Sequence, residues 1–216
     1  MRRPLHLLAF ALLLFCPLPG RAQPPVEQPQ AIQPPASRTP VVQAPATQNP
    51  ATQSPPRLAS VDALFDQLYA ADNPAEGHRI EHKIWEAWME SGSDTVDALM
   101  KGGVKVMDKG DYKRAETIFS RMIELKPDYA EAYNKRATVR FLAGDYAGAV
   151  ADIERTLKLE PRHFGALTGL GTIMEKLDNL PEALRAWRRA LAADPFLTDA
   201  PEKLRELRRR IDAQTL

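Results

Sequence analysis

His78 and His82 stand four residues apart with Glu81 before the second, in the pattern His-x-x-Glu-His. On a helix this spacing puts both imidazoles on one face. In inverted zinc metallopeptidases the same pattern supplies two zinc ligands and a general base. The sequence offers no identifiable third ligand, and a five-residue pattern with two free positions recurs by chance. Zinc binding or metallopeptidase-like chemistry through His78, Glu81 and His82 is therefore the remote reading, and two histidines on a solvated helix face the plain one. There is no Gly-rich phosphate loop and no Gly-x-Ser-x-Gly elbow, and the single cysteine is Cys16. His163, beside Pro161 and Phe164, reads as a packed residue and not as a base. The sequence therefore assigns no catalytic residue, no metal ligand and no cofactor, and points to a non-enzymatic protein.

The elements that position these residues begin well inside the chain. Arg2 and Arg3 precede an apolar run from Leu7 to Cys16, and Gly20-Arg21-Ala22 forms a small-x-small site, so residues 1–22 read as a secretory signal peptide. Ten apolar residues are too few to span a bilayer core about 30 Å thick, and Phe15 before Cys16 speaks against lipidation. The expected product is periplasmic or secreted, cleaved near Ala22, without a stable membrane span and without cysteine; a retained anchor is the alternative. Residues 23–57 hold ten prolines and seven glutamines, the composition of a disordered linker. The 29 basic residues nearly balance the 28 acidic ones, for a formal net charge of +1, which leaves no electrostatic footprint for nucleic acid.

Beyond the linker, Pro127, Pro161 and Pro195 recur every 34 residues. Gly110-Asp111-Tyr112 returns as Gly144-Asp145-Tyr146 and, degraded, as Asp178-Asn179-Leu180. The same register carries Gly103, Ala137 and Gly171; Ala115, Ala149 and Ala183; and Phe119, Ile153 and Trp187. The small residues let two antiparallel helices approach, and the bulky column fills the groove between successive pairs. Glycine ends the first helix, aspartate caps the second, and proline stops the second before the next copy begins.

These columns resemble tetratricopeptide repeats of an exported bacterial type, three of them, over 96–129, 130–163 and 164–197. The resemblance implies an all-α, α-α solenoid. Around it, residues 58–95 read as a divergent N-terminal helical hairpin capping the first repeat, with apolar stripes Val61, Leu64, Phe65, Leu68 and Ile80, Ile84, Trp85, Trp88. Residues 198–216 read as a C-terminal capping helix with Leu204, Leu207 and Ile211 on its inner face. The family expects leucine at Gly102 and Arg136, and a buried Arg136 requires a carboxylate such as Asp152. The resemblance further implies a concave groove that takes a peptide or helix of an unknown partner protein. Its walls would include Met100, Lys101 and Val104 with Asp97, then Asn134, Lys135 and Thr138 with Glu131, then Thr168, Thr172 and Lys176. One family version clamps a terminal carboxylate with basic residues. Gly165 and Gly169 occupy the positions of its last basic pair, so that clamp is not carried over. The alternative is a structural, self-associating envelope protein acting through Trp85, Trp88 or the C-terminal helix.

Overall fold

The computed structural model describes residues 56–214, with side chains from Val61 onward; the expected signal peptide and the Pro/Gln-rich segment through residue 55 lie outside the described residues. Nine helices form among the described residues: α1 Pro56–Ala70, α2 Pro74–Met89, α3 Asp94–Asp108, α4 Tyr112–Leu125, α5 Ala130–Leu142, α6 Tyr146–Leu159, α7 Phe164–Lys176, α8 Leu180–Ala193 and α9 Ala200–Gln214. None of them is long and apolar enough to cross a membrane.

The three repeats are α3–α4, α5–α6 and α7–α8, and each turns in the same way. Gly110, Gly144 and Asp178 take positive φ of 77°, 84° and 55°, and the next residue's N–H closes back on Val106, Arg140 or Met174. Asp111, Asp145 and Asn179 then accept the N–H three residues on, at 3.2, 2.9 and 3.3 Å. The third copy, whose sequence looked degraded, keeps the geometry by placing Asp178 where the others have glycine. Asp and Asn are among the few residues that tolerate this region.

Packing within pairs follows the small-residue columns. A Cβ at Gly103 would come within 2.6 Å of the Phe119 ring, and one at Gly171 within 2.6 Å of Trp187. Arg136, at the position where the family has leucine, meets Asp152 in a two-pronged ion pair at 2.8 and 2.7 Å, as its half-buried setting demands. Helix α9 closes the far end, with Leu207 buried and Leu204 and Ile211 packed on Leu180, Ala183 and Trp187.

The N-terminal hairpin departs from expectation. Val61, Phe65 and Leu68 of α1 pack on Ile80, Ile84 and Trp88 of α2, but the cluster they form is completed by Phe164 and Leu167 of α7 and Ala190 and Ala193 of α8. The apolar face of the hairpin thus packs on the third repeat, and Met89 at the end of α2 reaches the core of the first. The physical reason lies in the surfaces on offer. Gly102 on α3 is exposed, with nothing within 4 Å of an added Cβ, whereas the start of α7 presents aromatic surface for Phe65 and Trp88.

Candidate binding groove

The concave face is built from α3, α5 and α7, and α2 lies against part of it. The Trp88 ring stacks on His163 at 4.0 Å with planes 9° apart, and the Tyr129 hydroxyl donates to the carbonyl oxygens of Trp88 and Met89, each at 3.0 Å. Trp85 covers Gly165 so closely that a Cβ there would overlap its ring. The glycine that replaces a basic family position therefore makes room for the chain's own tryptophan. Arg162 lies 4.0 Å over the Phe65 ring and pairs with Asp62. Trp88 is buried and Trp85 half-buried in this contact, so the indoles named for self-association are engaged within the molecule.

Beneath α2 sits a buried polar cluster. His163 caps α7: its Nδ1 accepts the Ala166 N–H at 3.1 Å, which leaves the proton on Nε2 to be donated to Glu131 Oε2 at 2.8 Å. Asn134 Nδ2 donates to the same oxygen at 3.0 Å, and Lys135 Nζ stands 3.0 Å from Oε1. Burial works against the Glu131 charge, but His163 and Lys135 together outweigh it and hold the carboxyl below its usual range. Lys135 also lies 5.9 Å from the centre of the Trp85 ring.

The predicted groove residues separate into three basins. Asn134, Thr138, Thr168 and Thr172 come together between α5 and α7, around a cavity of about 300 Å³ with Phe141, Ile153, Gly169 and Ile173 in its walls. Met100 and Lys101 instead face Trp85, Met89, Glu86 and Glu90 across a cleft of about 770 Å³ between α2 and α3. Lys176 joins Glu175, Lys203 and Arg210 in a third, of about 330 Å³, between α7 and α9. There Lys203 is paired with Glu175 at 3.1 Å, and despite partial burial its carboxylate partners raise its pKa. Val104 packs on the core around Phe119, and Met100, although itself buried, lines the cleft between α2 and α3. Sequence reasoning missed Phe141 and Ile153 as cavity walls, and Trp85 as a cover for groove positions. Gly165, at an expected basic position, was its one signal of the cover.

The histidine motif divides. His78 Nδ1 approaches Glu81 at 3.2 Å and His82 Nε2 approaches Glu86 at 3.3 Å, each imidazole served by its own carboxylate. Among the described residues no group of three or more His, Cys, Asp or Glu side chains is placed to hold a metal ion.

Comparison with known proteins places this architecture. The tetratricopeptide repeat profile matches residues 105–155 and 143–198. A TPR repeat-containing protein of Rhizobium etli is 37% identical over 151 residues, covering 70% of this chain and 74% of that protein. Human tetratricopeptide repeat protein 36 is 35% identical over 98 residues, 45% of this chain and 52% of its own length, so the chain spans about half of that relative. Among solved structures, the first TPR domain of Spaghetti (RPAP3), bound to the HSP90 peptide SRMEEVD, aligns with a TM-score of 0.52 at 22% identity, over 54% of this chain and 93% of that domain. That likeness is one of fold.

Proposed function

The chain belongs to the tetratricopeptide repeat family, and from that premise we propose that it is a non-enzymatic interaction scaffold of the cell envelope that holds a segment of a partner protein in its concave face. The observation that carries the reading is the open cavity between α5 and α7, left uncovered by the hairpin that occupies the neighbouring positions, in a fold similar to that of the RPAP3 domain bound to an HSP90 peptide. The envelope half of the reading rests on the N-terminal signal-like segment and the cysteine-free remainder of the chain. A photocrosslinking residue at Thr138, on the cavity rim, tests both halves in cells that express the full chain. The expected result is a crosslinked second protein in the envelope fraction, and none from the same residue at Lys113 on the outer face of α4. Identical patterns from the two positions would refute the groove reading. A crosslink at twice the chain's own mass would establish the self-associating alternative, and a product confined to the cytoplasm would refute export.

A further inference from the structure

We propose that the cavity between α5 and α7 takes an uncharged, apolar side chain from the interior of a partner segment, and not a terminal carboxylate. This inference rests on the groove reading and gives it a ligand chemistry. Holding a carboxylate requires several N–H, O–H or ammonium donors aimed into the site, and here all the candidates but one amide N–H are already committed. The hydroxyl of Thr138 donates to the Asn134 carbonyl at 3.0 Å, that of Thr168 to Gly165 at 2.9 Å and that of Thr172 to Thr168 at 2.9 Å. One N–H of Asn134 Nδ2 goes to Glu131, and the Trp187 indole N–H goes to Glu175 at 2.9 Å. Lys135, the cation beside the cavity on α5, is held in its ion pair with the same carboxylate and lies along Trp85. No lysine, arginine or histidine lines the cavity itself, and Lys176 belongs to the adjoining basin with Glu175. A carboxylate entering here would shed its water with at most the second Asn134 N–H as a replacement donor and the Glu131 carboxylate beside it, which is strongly unfavourable.

What the cavity offers is the complement of a greasy side chain. Phe141, Ile153 and Ile173 supply apolar surface, and Gly169 leaves the space open, since an added Cβ would still stand 3.7 Å from the Ile153 Cδ1. The volume lies at the lower end of ordinary ligand pockets, about 300–1,000 Å³, and suits one large side chain. The threonine oxygens, having given their protons to the helix, keep lone pairs that can accept the N–H of an extended partner backbone. The groove therefore selects an internal apolar anchor by removing the donors that a carboxylate would need.

The test uses the chain from Gln23 to Leu216 and two random dodecapeptide display libraries, one with the peptide flanked on both sides and one ending in a free carboxylate. Binders are expected from the flanked library, sharing one Leu, Ile, Met or Phe, and synthetic copies should bind alike as free acid and as C-terminal amide. Gly169→Leu, which fills the cavity, should weaken them by at least about tenfold, and Gly169→Ala by less than about threefold. Should Gly169→Leu fail to fold by circular dichroism, Thr138→Trp at the exposed rim blocks the same space and should cause the same loss. Binders that come only from the free-carboxylate library and are lost on amidation would overturn this inference while leaving the groove reading standing. An empty selection, or binders indifferent to both blocking variants, would overturn the groove reading and this inference with it.

Discussion

Asp194 ends α8 with its side chain fully buried; Oδ1 accepts the Phe196 N–H at 3.0 Å, and Oδ2 has no hydrogen-bond partner among the described residues. Burial, with Glu81 of α2 adding to it and the Phe196 N–H and His78 opposing, pushes its pKa up to about 6 from an unfolded value of 3.8. The folded state thus binds this proton more tightly than the unfolded chain does. Its stability contribution is fully present below the unfolded pKa and is lost as pH rises through about 6. Glu131 acts with the opposite sign: its lowered pKa stabilises above the ordinary carboxylate range, and that gain is lost as pH falls through the folded value. Between pH 4.5 and 7, then, Asp194 alone should make the protein less stable as pH rises. Asp194→Asn keeps the acceptor for Phe196 and removes the charge. Urea midpoints for the variant should be flatter across that interval, and at pH 8 it should exceed the parent by on the order of 1–3 kcal/mol. Equal slopes for the two proteins would show that Asp194 stays charged without cost.

At the level of helices, the contact most exposed to a single change is Trp85 of α2 on Gly165 of α7. Gly165→Ala places a methyl group in the indole and should cost about 1–3 kcal/mol as α2 lifts away, with a red shift of tryptophan emission. Gly169→Ala, one turn on, meets only ordinary contact and should gain up to about 1 kcal/mol from helix propensity. Equal effects of the two substitutions would mean that α2 does not rest on α7. This pair also marks the limit of what was legible beforehand. Turns and caps could be read because they are set by residues three or four apart: Asp111, Asp145 and Asn179 cap by local geometry, and the Arg136–Asp152 pair joins residues of one repeat. The apolar stripes of α1 and α2 could be read as a hairpin for the same reason. Where the hairpin docks could not, because its stripes fit any apolar surface, and the choice between α3 and α7 depends on faces that become neighbours only after the repeats stack. The groove fared likewise. Its candidate positions follow from the register, but their division among three basins follows from where α2 and α9 come to rest.

That docking changes how the whole molecule should come apart. In a linear repeat array each unit touches only its neighbours, so an end hairpin frays first and the array unzips from there. Here α1 and α2 are anchored far from the repeat that follows them in sequence: Phe65 and Trp88 share a core with Phe164 and Leu167, Tyr129 at the start of α5 holds the end of α2, and Arg162 between α6 and α7 ties back to Asp62. Releasing the hairpin would strip the aromatic cover from His163 and Phe164 and leave the buried Glu131–His163 pair facing water, while loosening the third repeat would expose Trp88. The first repeat is enclosed between these linked parts, since the hairpin before it and the second repeat after it belong to one packed body. Unfolding should therefore be cooperative in spite of the repeat architecture. With Trp187→Phe, the only remaining indoles are Trp85 and Trp88, both in α2, so their emission reports the hairpin while far-ultraviolet circular dichroism reports all the helices. Coincident urea transitions by the two probes are expected. A fluorescence transition well before the loss of helix would mean that the hairpin is a loosely attached end unit, and that the groove positions it covers are open to a partner at little cost.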